Sequence, residues 1–334
     1  MNPNSTTPPT SRRRRRSPAL LIALSLVLAA CGTGTTAGEG EDDLPLVVVT
    51  TTILGDIVEN VAGDDAIVEV IMPLGTDPHT FEPSAQQAAR LRDADLVIAN
   101  GLMFEEGLLT AIEAAEADGV NVLELGDRLD PMPFLGAHDD DHGDEDHGDE
   151  DHEDDSHEGG LDPHIWMDPV RMIQAVDIIA AELAAIADGD FTARAESYRA
   201  ELEALHEEIA EMIQSIPVER RTMVTNHFAY GYYADRYGLE ILGAVIPSAT
   251  SDAETSARDF AELVELIEEE DVPAIFASTT EPTRLAQAIA DEVGRNVQVI
   301  ELYTESLGEP ASGADTYLGM MRVSTERIVE GLTA

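Results

Sequence analysis

The chain has 334 residues, 43% of them hydrophobic, and sets 67 acidic side chains against 19 basic ones for a net charge of −48. That hydrophobic fraction is ample for a packed core, whereas a body this negative repels DNA, RNA and anionic lipid headgroups, which excludes nucleic-acid binding as a function class. The same field concentrates cations, and the length predicts about two domains.

The N-terminus reads as an address. Arg12 to Arg16 form a positive segment, and Ala19 to Ala30 form an apolar run too short to span a bilayer permanently. The run ends in Leu28-Ala29-Ala30-Cys31-Gly32, which is similar to the bacterial lipobox, where the Cys is lipidated and becomes the first mature residue. Residues 1–30 are therefore expected to be a lipoprotein signal peptide, exported by the general or the twin-arginine route. Cys31 is the expected lipid anchor on the outer face of the cell membrane, and residues 31–43 a flexible Gly, Thr and acid tether. Cys31 is also the only cysteine, so no disulfide forms within the chain.

Beyond the tether, Leu46 to Thr51 predicts a buried strand, Ile53 to Val61 has helical spacing, and Ala66 to Met72 predicts a second strand. A loop with Pro73, Gly75 and Pro78 follows. Ser84 caps a helix to about Asp93, Asp95 to Ala99 is the next strand, Phe104 to Ala117 a helix, and Val120 to Leu125 a strand. Residues 138–158 then break the pattern with five His, thirteen Asp or Glu, two Gly and one Ser, which predicts a disordered loop. Pro169 to about Asp188 and Phe191 to Ile216 read as helices, the second long, amphipathic and ended by Pro217. Strands are predicted at Arg221 to Thr225, Glu240 to Val245, Ala274 to Ala277 and Val297 to Ile300. Helices are predicted at Ala229 to Tyr237, Thr255 to Glu269, Pro282 to Val293 and Tyr317 to Glu330. The fold class is thus α/β: two lobes, residues 44–190 and 217–334, each a mainly parallel β-sheet flanked by helices, joined by one long helix over 191–216. No internal sequence repeat is visible, although the lobes share a strand-helix grammar.

Three histidines outside the acidic run sit where strands give way to loops: His79 in Gly75-Thr-Asp-Pro-His79, His164 in Asp162-Pro-His164-Ile-Trp-Met-Asp168, and His227 at the end of Met223-Val-Thr-Asn-His227. Ligands of open α/β sheets bind at the carboxyl ends of strands, and three imidazoles with a carboxylate make a closed shell for a transition metal. His206 lies on the long helix with Ala210 one turn on, so it lacks the paired His of a helical metalloprotease and reads as a surface residue.

The segments Pro73-Leu-Gly-Thr-Asp-Pro-His79, Asp162-Pro-His164-Ile-Trp-Met-Asp-Pro169 and Thr225-Asn-His227-Phe-Ala-Tyr-Gly-Tyr-Tyr233 resemble the metal-binding solute receptors of bacterial ABC importers (cluster A-I), over about Leu46 to Leu332. The resemblance implies first and second metal ligands at His79 and His164. It implies a third at His227, where zinc-type members carry His and manganese-type members Glu. The fourth is usually Asp in a Tyr-Thr-Asp-Ser context; here Glu305 stands in Leu302-Tyr-Thr-Glu-Ser-Leu307, so either Glu305 or a water completes the shell. It further implies that the long helix is rigid and limits motion between lobes, and that a His- and acid-rich loop is a metal-gathering or sensing accessory. That role would fall to His138, His142, His147, His152 and His157. Asp77, Glu82 and Asp168 are candidate acceptors for imidazole N–H groups, or else turn and capping residues.

The expected function is a monomeric, lipid-anchored, extracytoplasmic receptor that takes Zn2+ as its cargo and serves a membrane permease with its ATPase. It is not an enzyme. Manganese or iron is the alternative metal. An exported zinc hydrolase is less favoured because no nucleophile elbow, phosphate loop or helical His-Glu-x-x-His stretch is present. A surface adhesin, a role sometimes given to such receptors, has no support in particular residues.

Overall fold

In the computed structural model residues 44–136, 160–251 and 253–334 are described. The expected leader, the tether with Cys31, and the acidic run 138–158 lie outside the described residues.

The first sheet takes β1 (Leu46–Val49), β2 (Ile67–Val70), β3 (Leu96–Ala99) and β4 (Asn121–Glu124) in the order β2-β1-β3-β4, all parallel. The second takes β5 (Thr222–Thr225), β6 (Glu240–Ala244), β7 (Ala274–Ser278) and β8 (Gln298–Leu302) in the order β6-β5-β7-β8, again all parallel. The two sheets therefore repeat one topology that no sequence repeat announces. Parallel strands need crossovers that cover both faces, which is why the central strands read as unbroken apolar runs: all of β3 and Val47 to Val49 of β1 are buried.

The helices are α1 (Thr52–Ala62), α2 (Ala85–Asp93), α3 (Leu109–Ala117), α4 (Pro169–Ile186), α5 (Phe191–Gln214), α6 (Gly231–Tyr237), α7 (Ala257–Glu269), α8 (Arg284–Glu292) and α9 (Tyr317–Thr333). Local chemistry sets their starts. Ser84 and Ser256 open α2 and α7 with reciprocal capping boxes through Gln87 and Asp259, and Asp168 caps α4 ahead of Pro169. The helix expected from Phe104 begins only at Leu109. Gly101, Leu102 and Met103 all take left-handed backbone, with φ of 77°, 55° and 62°, and a 3-10 turn over 106–108 follows.

α5 is more than a bridge. Its buried face (Phe191, Ala195, Tyr198, Leu202, Leu205, Ile209, Ile213) packs against α1, α4, α6 and α9, so one continuous core runs from Val47 and Ile98 through α5 to Met223 and Phe276. Smaller clusters close the outer face of each sheet. His206, expected at the surface of α5, is instead half-buried with Nδ1 3.1 Å from the Tyr237 hydroxyl, because α6 packs over that flank of the helix.

Candidate metal centre

Four segments at the carboxyl ends of the strands converge. His79 lies in the loop after β2, His164 opens a 3-10 turn before α4, His227 follows β5 by two residues and Glu305 follows β8 by three. All four side chains are buried, and one donor atom from each lies within 4.8 Å of the others. His79 Nε2 and His227 Nε2 each approach Glu305 Oε1 to 3.0 Å, His164 Nε2 lies 3.9 Å from that oxygen, and the Nε2 atoms of His164 and His227 are 3.3 Å apart. Zinc–nitrogen bonds of about 2.0–2.1 Å give a tetrahedral edge of roughly 3.3 Å; the 3.0 and 3.3 Å separations are close to that edge, and the 3.9 Å one is wider. His79 Nε2 and Glu305 Oε1 make no hydrogen bond despite their closeness; a carboxylate oxygen buried without a hydrogen bond is a poor end state for a protein and a good ligand for a cation.

Two Asp-Pro-His tripeptides build the first lobe's share by the same device. Asp77 Oδ1 accepts the His79 backbone N–H at 2.9 Å, and Asp162 Oδ1 accepts that of His164 at 3.0 Å. Asp162 Oδ1 also meets His164 Nδ1 at 2.7 Å, which fixes Nε2 as the free donor. Gly231, the first residue of α6, lets that helix approach: a Cβ there would stand 2.6 Å from Asp162 Oδ2. In the second lobe Thr225 Oγ1 donates to the His227 carbonyl at 2.8 Å and shapes the turn. Thr280 Oγ1 donates to Glu305 Oε2 at 3.1 Å, leaving Oε1 for the centre. Phe104 and Trp166 wall the site, and the Trp166 indole N–H donates to the Thr304 carbonyl at 2.8 Å, tying the His164 turn to the Glu305 segment.

Burial alone would drive His227 toward its neutral form, but the Glu305 carboxylate outweighs it, Glu281 adds to the effect, and the imidazole pKa is pushed up to about 10. Burial likewise opposes protonation of His164, and Asp162 reverses it, so that pKa too is raised. Glu305, which burial would push up, is held well below the ordinary carboxylate range by the imidazoles, His227 foremost. The site without metal therefore keeps a proton beside an ionised carboxylate, and an arriving cation displaces it.

The structure brings together all four residues expected as ligands, and the longer Glu305 reaches the position expected for Asp or water. Of the three expected imidazole acceptors, none is used as one. Asp77 holds the His79 backbone and accepts from the Ser251 hydroxyl. Asp168 caps α4 and pairs with Arg171 and Arg236, and Glu82 is exposed. The carboxylates that face imidazole Nδ1 atoms are Asp162 and Glu281, the latter with Oε1 3.4 Å from His227 Nδ1. Asp162 was missed in the sequence, although the repeated Asp-Pro-His spacing carried a signal for it. Glu281 carried no sequence signal, because it follows β7, more than fifty residues from the histidine it faces.

Residues 47–331 match the model of the family described as ZnuA, the periplasmic zinc-uptake complex component A. The chain is 32% identical over 319 residues to the manganese-binding lipoprotein MntA of Halalkalibacterium halodurans, covering 94% of this chain and 97% of that protein. It is 28% identical to the manganese ABC transporter substrate-binding lipoprotein PsaA of Streptococcus pneumoniae, with the same coverage. Among solved structures, the periplasmic zinc-binding protein TroA of Treponema pallidum superposes with a TM-score of 0.75 at 28% identity, covering 86% of this chain and 99% of that one.

Proposed function

The chain belongs to the ZnuA family of periplasmic zinc-uptake components, and from that premise we propose that it is the extracytoplasmic receptor that captures Zn2+ for an ABC-type uptake permease and its ATPase. The observation that carries the metal choice is the donor set: three imidazole Nε2 atoms and one carboxylate oxygen, all buried, within 4.8 Å of one another. Three neutral nitrogens with one oxygen suit four-coordinate zinc, whereas manganese favours a richer oxygen shell. Four protein donors also close the shell. A catalytic zinc keeps one position for water, so the arrangement supports capture rather than hydrolysis. Anchoring through Cys31, with residues 31–43 as the tether, agrees with the naming of MntA and PsaA as lipoproteins.

The second reading, manganese as cargo, is favoured by that same similarity to manganese-binding relatives. Competition decides between them. The protein, stripped with chelator and titrated with both ions, is expected to retain one zinc against excess manganese, and His227→Glu is expected to move the preference toward manganese. A tight site that prefers manganese in the unaltered protein overturns the zinc assignment and leaves the receptor in place.

The acidic His run belongs to the same proposal as an accessory. Its flanks, Phe134 and Gly160, both line a small cavity beside His79 and are joined by a backbone hydrogen bond of 3.0 Å. Deleting 138–158 is expected to leave the tight site intact and to reduce uptake when zinc is scarce; unchanged uptake counts against the accessory role.

A further inference from the structure

The four donors are not held alike. His164 Nδ1 is fixed by Asp162 at 2.7 Å, His227 Nδ1 makes no hydrogen bond but faces the Glu281 carboxylate at 3.4 Å, and Glu305 Oε2 is tied to Thr280 at 3.1 Å. His79 Nδ1 is buried with no hydrogen-bond partner; its ring packs edge-on against Phe104 at 4.9 Å between centroids, and its Nε2 meets Glu305 Oε1 at 3.0 Å. An imidazole with no acceptor behind it has nothing that fixes its tautomer or its rotation.

A cavity of about 80 Å³ reaches His79 and touches none of the other three donors. Leu102, Met103, Phe134, Leu161 and Thr250 are among its walls. Its rim is at the surface, where Met103 is 50% and Leu161 47% exposed. Met103 is placed there against the preference of its backbone: Leu102 and Met103 both take left-handed φ, of 55° and 62°, which is strained for residues with a Cβ. The buried Glu105 carboxylate holds this turn by accepting from the N–H groups of Asn100 at 2.7 Å and Gly101 at 3.2 Å. An apolar side chain is thus kept at the mouth of a cavity that opens onto a donor of the centre.

Resting on the reading of the centre as a metal-receptor site, we infer that the ion enters and leaves past His79, through the opening between Met103 and Leu161. His164, His227 and Glu305 form a pre-set three-donor cup, and His79 is the ligand that closes on the ion last and releases it first. The rim is apolar at Met103 and Leu161, while Glu106 and Thr250 add polar side chains to the walls on the way to His79.

The test is stopped-flow mixing of the full chain with Zn2+, followed by removal with a fluorescent chelator. Met103→Gly, which relieves the left-handed strain and opens the rim, is expected to speed association and dissociation together by about threefold or more, with affinity unchanged within about twofold. Leu161→Trp is expected to slow both by a similar factor. His79→Ala is expected to keep one bound zinc, weakened about tenfold or more through faster dissociation, while His227→Ala loses tight binding altogether. Rates unmoved by both rim variants, or His79→Ala and His227→Ala equally devoid of zinc, would overturn the inference while leaving the receptor reading standing. An unaltered protein with no tight metal site would instead sink that reading, and this inference with it.

Discussion

At the scale of single residues the centre is an exchange of protons for metal. His227 is raised from its ordinary 6.5 to about 10 in the metal-free protein, because the neighbouring Glu305 and Glu281 carboxylates outweigh burial. A group whose pKa rises on folding lends stability fully below its unfolded value and loses it as pH climbs through the folded one. The metal-free fold should therefore lose this contribution between about pH 6.5 and 10, while metal binding strengthens over the same window as the proton leaves more readily. Zinc binding at pH 7 is expected to release at least one proton, read by calorimetry in buffers of different ionisation enthalpy; no buffer dependence would mean that His227 is neutral before the ion arrives. Asp162 acts behind His164 at 2.7 Å. Asp162→Ala should keep one zinc per chain and weaken it about 10- to 100-fold, and an unchanged affinity would show that packing alone orients the imidazole. Tyr232 donates to the Asp162 backbone carbonyl rather than its carboxylate, so the substitution leaves that contact to α6 in place.

At the scale of elements, most of the fold was legible because parallel strands and amphipathic helices write their burial into the sequence. The runs around Val47 to Val49 and Leu96 to Ala99 are apolar without alternation, and Ser84, Asp168 and Ser256 announce helix starts by their side-chain oxygens. His79 and His227 were legible because they follow β2 and β5, whereas His164, expected in the same context, opens a 3-10 turn ahead of α4 and was legible only from its motif. What escaped were features made by burial across sequence distance. Glu105 and Glu281 look like surface acids in a chain with 67 of them, and only the folded chain shows them enclosed. The left-handed turn over 101–103 escaped too, because Leu and Met give no hint of positive φ and the periodicity after Phe104 is helical. Glu105 explains why that turn holds. Its Oε1 accepts from the Thr50 hydroxyl at 2.6 Å and the Asn100 N–H at 2.7 Å, and burial raises its pKa despite those bonds. Glu105→Ala leaves three buried donors, those of Thr50, Asn100 and Gly101, without an acceptor. It should cost about 2–4 kcal/mol in chemical denaturation, since each such group carries about 1–3 kcal/mol of desolvation that relaxation only partly relieves. A loss under about 1 kcal/mol would show that water replaces the carboxylate.

At the scale of the whole molecule the two sheets share their topology, yet they are not packed as two clamshell halves on a free hinge. α5 has 24 residues, about 36 Å of helix at 1.5 Å per residue. Its buried face is gripped by α1 and α4 from the first sheet and by α6 and α9 from the second. Leu202, Leu205 and Ile209 lie in the core that unites both lobes, so a wide swing would have to open that core and strip apolar side chains of their neighbours. Direct ties across the centre add to this: the Gly75 N–H donates to Ser306 Oγ at 2.8 Å, and the Leu307 N–H to Thr52 Oγ1 at 3.1 Å. Metal capture should then change loops at the mouth rather than the angle between sheets. Small-angle scattering of stripped and zinc-loaded protein is expected to give radii of gyration within about 1 Å of each other. A contraction of several ångströms would mean that α5 bends. The packing at Leu205 and Ile209 would then be the hinge, and Leu205→Ala, which loosens it, should enlarge the contraction further. With no such contraction, the loaded receptor can differ from the empty one only near the ligands, and a permease that tells the two apart must read the loops around His79 and Met103.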